Sequence, residues 1–573
     1  MDQTRIIMHG GRRWLVRPSA DPLLADGWPV DQPDRLACAK RGRGRTVSRL
    51  DVGDRAYYVK TRTGGGLWRR LRARLGFGPG RREWDALLLA RRYDVPVPEP
   101  VALSLDGGET LVTAAVADAV RLDTYLFDRY FPPPPSDPPY PGARPPELVA
   151  ACRKRAAPPE GTLPPRALAY LLADLVARLA EADLYLPDLH PGNLLLSGEP
   201  GRWRLTAVDL AEAVHPAPPE ALLKHLVRLE HFFEPLASAA ERVRCLVRLR
   251  SLLDDVPDAR TLRRATAVYR WRFYVGRDRR TRRRSKYFRP VSAGPWRGWA
   301  TADWADAVER LLSETALGAP PPDAEPMKDG RSSAVWTVRA PDGRDLVVKC
   351  DRRAGERAGR LLGRGRALAG FRRGHALLVR GIATARPAAA VRRTGTGGQT
   401  AALLLTEQVA GAAPLPEWLR AGPAPADRRH VTWALATMLR RMHDAGFRHR
   451  DLKAPNVLVA PADPDGPGVR PVLVDLDGLR RVGRIPARRR VRDLMRLAVS
   501  LEEWNLARAT DRLRFLRTYL GRRGAPRPIA LLARRRGRTA PARRLRRWWR
   551  AIERAAQRKR RALRRRYGRV ERL

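Results

Sequence analysis

The stretch "FRHRDLKAPNVLV" (447–459) sets a His-Arg-Asp triplet ahead of an Asn five residues past the Asp, and an aliphatic run closes it. A blurred copy, "LYLPDLHPGNLLL", stands at 184–196, a constant 263 residues earlier. Moving γ-phosphate asks little covalent help of a protein. It asks for a cation on the phosphate oxygens, hard oxygen ligands for a metal, and a carboxylate beside the acceptor hydroxyl. Each copy offers that set in chain order. Asp188 and Asp451 are loop carboxylates, and Asn193 and Asn456 are oxygen ligands suited to Mg²⁺. Asp209 in "AVDLAEA" and Asp475 in "LVDLDGL" each close an apolar strand, where a second metal carboxylate would sit. Lys60 in "AYYVK" and Lys349 in "LVVK" end strand-like segments within reach of phosphate.

Working outward, the whole chain reads twice. "KRGRGRTV" (40–47) parallels "KDGRSSAV" (328–335), and "YDVPVPEPVAL" (93–103) parallels "RGIATARPAAA" (380–390). "LVTAAVADAVRLDTYL" (111–126) aligns without a gap to "LLTEQVAGAAPLPEWL" (404–419), and "HLVRL" (225–229) to "DLMRL" (493–497). In each copy, glycine-punctuated β-segments precede helical patterns, so a small β-rich lobe followed by a larger helical lobe is expected.

The motifs "HRDLKAPN" and "VDLDG" resemble the protein-kinase catalytic loop and metal-binding D-F-G segment. "DLHPGN" looks like the variant found in small-molecule and sugar kinases. Together with "VPVPEP", "RGIATARP" and the basic loop, they resemble the lipopolysaccharide kinase family over roughly residues 35–250 and 325–520. Those bacterial enzymes phosphorylate heptose or Kdo sugars of the lipopolysaccharide core on a protein-kinase-like fold. The resemblance implies an α+β chain of two tandem protein-kinase-like bilobal domains. A first domain is expected at 30–290, with a Pro-rich insertion at about 131–165, then a linker at 291–326. A second domain would occupy 327–525 and an Arg-rich helix or tail 526–573. It also implies ATP as donor, Mg²⁺ as metal, Asp451 and Asp188 as catalytic bases, and Lys349 and Lys60 on the ATP phosphates. Asn456, Asp475, Asn193 and Asp209 would then hold Mg²⁺.

The copies depart from the family pattern in different places. The first has Glu83 where a helix glutamate would pair with Lys60, but Leu186-Pro187 replace the His-Arg that braces the loop. The second keeps the full loop, yet Gly370 stands opposite Glu83; Glu356 is a weak substitute and His375 a polar alternative that reads as structural. Neither carries a full Gly-rich loop, so Lys40 and Lys328, with Arg43 and Arg331, are candidates to grip phosphate. Lys453 and its counterpart His190 are candidates to neutralise transferred phosphate. Either copy could be active, or one a scaffold for the other; the intact loop favours the second for chemistry.

The net charge is +52, from 112 basic and 60 acidic residues in 573. It favours acidic partners. Only nine basic residues are lysines, and five of these fall in the motifs above, where Arg would not substitute freely. Residues 531–573 carry 19 Lys or Arg against two Glu. "RRLRRWWRAIERAAQRKRRALRRRYGRV" would place Leu545, Trp548, Trp549, Ile552 and Ala556 on one helix side. That side either lies on an anionic membrane face or packs on the second domain. No recognised nucleic-acid-binding module accompanies the charge, which argues against nucleic acid. Four scattered cysteines, no bilayer-length apolar run and no signal-peptide core lead to a cytoplasmic expectation, peripheral to the inner membrane if the tail binds it. The function classes are a kinase for an anionic sugar lipid, a protein kinase (weakened by the lack of a clear A-P-E segment), and a nucleotide-binding scaffold.

Overall fold

The computed structural model describes residues 4–42, 44–62, 78–106, 110–130, 162–233, 237–314, 326–330, 333–351, 365–393, 401–463, 466–502, 506–521 and 540–567. These divide into a first unit up to Arg270 and a second from Trp271 onward. Helix and sheet are mixed in both.

In the first unit, β1 (Arg5–His9), β2 (Arg12–Val16), β3 (Ala37–Gly42), β4 (Arg45–Val52), β5 (Arg55–Thr61), β6 (Pro100–Ser104) and β7 (Thr110–Ala114) form one antiparallel sheet. Its order is β1-β2-β6-β7-β5-β4-β3. Helix α1 (Pro79–Arg92) precedes β6. One face of the sheet buries Trp14, Trp28, Leu50 and Val59. Below it come α2 (Leu122–Tyr130), α3 (Pro165–Glu181), a small sheet of β8 (Val120–Arg121), β9 (Leu194–Ser197) and β10 (Arg204–Ala207), then α4 (Ala221–Phe233) and α5 (Ala239–Arg250). In α3 the residues Leu172, Leu175, Val176 and Leu179 recur at helical spacing and are buried in a second core. Helix α6 (Ala259–Arg280) follows, and the division between the units falls within it.

The second unit repeats this order. β11 (Phe288–Ala293), β12 (Trp296–Thr301), β13 (Pro326–Gly330), β14 (Ser333–Arg339), β15 (Asp345–Asp351), β16 (Pro387–Arg393) and β17 (Ala402–Glu407) pair as β11-β12-β16-β17-β15-β14-β13. Helices α7 (Ala305–Glu314) and α8 (Arg366–Val379) accompany the sheet. Next are β18 (Ala413–Pro414), α9 (Pro425–Asp444), β19 (Phe447–His449), β20 (Val457–Asp463), β21 (Gly466–Leu473) and β22 (Leu479–Arg481). Helices α10 (Ala487–Glu502), α11 (Ala509–Leu520) and α12 (Ala540–Tyr567) finish the unit.

The two sheets agree residue by residue. One rung of the first runs Leu15–Leu103–Leu111–Lys60–Val47–Lys40. Its counterpart runs Trp299–Ala390–Leu404–Lys349–Val335–Lys328. Register shifts fall at matching places, Cys38/Lys40 with Pro326/Lys328 and Pro100/Ala102 with Pro387/Ala389. A one-residue slip would invert every side chain, so shared register is a strong likeness.

Two expected boundaries need correction. The first sheet starts at Arg5 rather than near residue 30, with Gly10 and Gly11 at positive φ turning its opening hairpin. The expected linker at 291–326 is largely folded: β11, β12 and α7 belong to the second unit and bury Trp296, Trp304, Val308 and Leu311. Gly294, at positive φ, turns β11 into β12 as a hairpin. Within the last segment the expected helix is present as α12, and of its two expected placements it takes the packed one. α12 packs on α10 and α11, burying Trp548 beside Tyr519 and Ala556 beside Met495 and Val499. Its apolar side is therefore occupied by protein. Most of the Pro-rich insertion and residues 522–539 lie outside the described residues.

Candidate active site

Each candidate loop is held by the same hydrogen bonds. In the second unit, Asn456 Nδ2 donates to the Asp451 carbonyl (2.8 Å), and Val474 N–H donates to the Asn456 carbonyl (3.0 Å). In the first, Asn193 Nδ2 donates to the Asp188 carbonyl (3.1 Å), and Val208 N–H to the Asn193 carbonyl (3.0 Å). Donation through Nδ2 fixes each amide so that Oδ1 remains as a hard oxygen ligand. The Val contacts tie the loop to the residue before Asp209 or Asp475. Both aspartates adopt left-handed backbone conformation, φ 66° and 56°.

In the first unit Lys60 pairs with Glu83, which α1 presents almost fully buried. The expected strand-to-helix ion pair is thus present there. Asp188 is half exposed; His190 Nε2 lies 3.5 Å from its Oδ2 and Arg228 3.8 Å from Oδ1. Gly192 N–H donates to His190 Nδ1 (3.0 Å), so the neutral ring carries its proton on Nε2, facing Asp188. A Cβ on Gly192 would come 2.9 Å from His190 Cε1, so that turn needs glycine. The hydrogen bond from His190 leads the interactions that hold the Asp188 carboxyl below the usual carboxylate range. Arg45 Nη1 donates to both oxygens of Asp209 at 3.0 and 3.1 Å. Arg45, Arg62, Arg82, Asp188, Asn193 and Asp209 line one cleft of about 300 Å³.

In the second unit Lys349 lies 2.5 Å from Asp475 Oδ1 and 2.8 Å from Asp477 Oδ2. Burial works against its ammonium, yet Asp475 and then Asp477 hold its pKa above the usual lysine value. These carboxylates pair with the strand lysine as the helix glutamate does in the first unit. Gly370 cannot supply one, and its Cα faces Leu404 closely enough that a Cβ would meet Leu404 Cδ2 at 2.9 Å. His375 is a core residue stacked edge-on to Phe288 and Phe371, and burial pushes its pKa down to about 3. Lys453 Nζ is 3.6 Å from Asp451 Oδ1, matching His190 beside Asp188. Glu356, Arg43, Arg331 and the side chains of Lys40 and Lys328 lie outside the described residues.

The loops are braced by different chemistry at one helical position. In the second unit Asp493 of α10, fully buried, receives Arg448 at 2.6 Å and Arg496 at 3.1 Å, while His449 Nε2 bonds the Asp475 carbonyl (3.0 Å). In the first, His225 of α4 takes the aligned position. It stacks on Tyr185 and accepts the Leu186 N–H through Nε2 at 2.9 Å. Burial, with Arg228 nearby, pushes the His225 pKa down to about 4, so the ring is neutral. This explains how the first loop keeps its shape without His-Arg. Sequence reading missed Arg45, Asp477 and the bracing roles of His225 and Asp493. The second aspartate of "VDLDG" and the aligned "HLVRL"/"DLMRL" pair were the available signals.

Residues 356–519 match the family model for the lipopolysaccharide kinase (Kdo/WaaP) family. A curated relative, the lipopolysaccharide core heptose(I) kinase WaaP of Pseudomonas aeruginosa, is 31% identical over 147 residues, 25% of this chain and 54% of the relative. The chain thus spans about half the length of that relative. A solved structure, WaaP in complex with acyl carrier protein, is 24% identical over 44% of this chain and 95% of the other, with a TM-score of 0.32.

Proposed function

We propose that this chain is an ATP-dependent phosphotransferase that phosphorylates a hydroxyl of a lipopolysaccharide-core-type sugar or related anionic glycolipid. In this reading its two units are diverged copies of one kinase-like fold. The second unit performs the transfer. The observation that carries this is the convergence of Asp451, Asn456, Asp475 and Lys349 on one braced loop and strand end.

In the mechanism, Asp451 accepts the proton of the acceptor hydroxyl as the oxygen attacks. Asn456 Oδ1 and Asp475 are the hard donors that would hold Mg²⁺, and Lys349 would turn from Asp475 to the phosphate oxygens. Lys453, 3.6 Å from Asp451, adds positive charge where the transferred group arrives. When bound, Mg²⁺–ATP would supply the phosphoryl group, departing as ADP, and the metal's charge would offset that developing on the phosphate. No described helix is long and apolar enough to cross a membrane, and we place the enzyme in the cytoplasm, at the inner membrane surface where its acceptor resides.

A second reading concerns the first unit, which holds Lys60–Glu83 but has Arg45 on its metal-site aspartate. That favours nucleotide binding with little or no transfer. The test is Mg²⁺-dependent ATP turnover, with and without lipopolysaccharide acceptor, in wild type, Asp451→Asn and Asp188→Asn. Acceptor-dependent turnover lost about 10²-fold or more in Asp451→Asn supports the proposal. ATP binding without turnover under any of these conditions refutes it in favour of a scaffold.

A further inference from the structure

Next to Asp451, starting at its chain neighbour Arg450, the second unit forms a cup of about 410 Å³ lined by seven arginines: Arg448, Arg450, Arg480, Arg481, Arg489, Arg492 and Arg496. They come from three elements, β19 and its loop, β22, and the first turns of α10. Among the described residues two carboxylates answer them directly: Asp493 takes Arg448 and Arg496, and Asp278 takes Arg481. Among the described residues, Arg450, Arg489 and Arg492 have no carboxylate partner. The crowding is electrostatically real, since burial and then, after the opposing pull of Asp493, Arg448 and Arg492 hold the Arg496 pKa below the usual arginine value. Converging guanidinium groups repel one another and are costly to gather unless an anion joins them.

The first unit shows that this cup is not a requirement of the fold. Tyr185 pairs with Val214 as Arg448 pairs with Arg480, so the backbone positions correspond. At those positions the first unit carries Tyr185, Pro187 and Val214, and along α4 it carries Ala221, Lys224 and Arg228. One loop geometry therefore comes with two very different charge settings. The cup also continues past Arg492 into a groove between α10 and α12, edged by Arg488, Arg547, Arg554, Arg558 and Lys559.

We propose that the cup binds phosphate groups already present on the acceptor glycolipid, so that the second unit selects a substrate carrying phosphate near the hydroxyl it modifies. Bidentate guanidinium–phosphate pairing would fix the sugar beside Asp451. This inference deepens the function proposed above and rests on it for the identity of the acceptor. It also implies that the reaction is preceded by another phosphorylation of the same molecule.

The experiment uses the full chain and the double variant Arg489→Gln/Arg492→Gln, whose side chains project from a helix otherwise unchanged. Inorganic pyrophosphate is titrated with the nucleotide sites saturated by a non-hydrolysable ATP analogue. The expected result is affinity at least about tenfold weaker in the variant, with analogue affinity unchanged. Equal pyrophosphate affinity overturns the cup as a phosphate site. In turnover, the acceptor KM should rise about tenfold in the variant, and phosphatase treatment of the acceptor should cause that rise in wild type but add nothing in the variant. If dephosphorylated acceptor serves wild type equally well, the acceptor assignment is overturned. Should wild type phosphorylate no sugar lipid at all, the proposed function fails while the pyrophosphate titration still decides the cup. A short single-stranded RNA that binds wild type more tightly than pyrophosphate, and is lost in the variant, would overturn the glycolipid in favour of nucleic acid.

Discussion

Lys349 holds Asp475 at 2.5 Å, whereas Lys60, on the matching rung of the other sheet, holds Glu83 and leaves Asp209 to Arg45. The two units therefore neutralise the same strand lysine by different routes. In the second, the carboxylate that would bind metal also anchors the lysine. Asp475→Asn is expected to lower Mg²⁺-dependent turnover by about 10²-fold or more, because it removes the proposed metal donor and the main partner of Lys349. Asp477→Asn leaves Asp475 in place and should cost about tenfold or less. Steady-state turnover across Mg²⁺ concentrations separates the two; equal losses would count against Asp475 as the metal donor.

Glu83→Gln tests the first unit. The side chain is 2% exposed and Lys60 only 14%, so the substitution strands a largely buried ammonium. A loss of about 3 kcal/mol is expected in that unit's unfolding transition. Denaturant titration followed by hydrogen exchange should show protection falling in β5 and α1 and staying constant in β14–β17.

Stability of the first unit should depend on pH through His225. Its folded pKa is about 4, below the ordinary 6.5. Between those values the unfolded chain binds more protons, so stability falls as pH drops from about 6.5 to 4 and levels off below. The full span is about 3 kcal/mol. His225→Gln, which can still accept from Leu186 N–H, should flatten that part of the profile. An unchanged profile would show that the ring is not held neutral.

Two glycines on α8 separate contact with a movable side chain from contact with a rigid one. At Gly370 a Cβ meets only the Leu404 side chain, so Gly370→Ala should be close to neutral once the helix propensity gain of about 1 kcal/mol is included. At Gly374 a Cβ would lie 2.5 Å from Pro387 Cγ and 2.7 Å from Leu476 Cδ1. Gly374→Ala should destabilise by about 2 kcal/mol. Thermal unfolding of the two variants decides it.

The sequence carried what depends on order and spacing. The loop aspartates, their asparagines, the strand lysines and Glu83 all sit where motif offsets put them, because a hydrogen-bonded loop tolerates few lengths between its anchors. It carried less of what depends on one chain segment meeting a distant one. Nothing in the linear pattern says that Arg45 reaches Asp209, or that His225 does for Leu186 what a loop histidine does elsewhere. The hairpin at 5–16 falls ahead of the expected first domain and that at 288–301 runs into the expected linker, because each is a short pair of strands whose apolar residues gain meaning only against a sheet assembled from later sequence. The tail's two readings diverged for the same reason: an amphipathic helix does not specify what covers it, and here α10 and α11 do.

Two sheets with the same strand order and the same register lie on one chain, so each slot has a sister strand that must be told apart from its own. β2 and β12 occupy the same slot, next to β6 and β16. On the rung beside the lysine rung, Trp14 faces Ser104 while Gly298 faces Val391. A side chain at 298 would run into the Ala390 carbonyl oxygen. The first hairpin, with tryptophan at that point, cannot dock on β16 in the correct register. The two hairpins are therefore not interchangeable in that register: the slot beside β16 admits glycine at 298 and excludes the tryptophan of its counterpart.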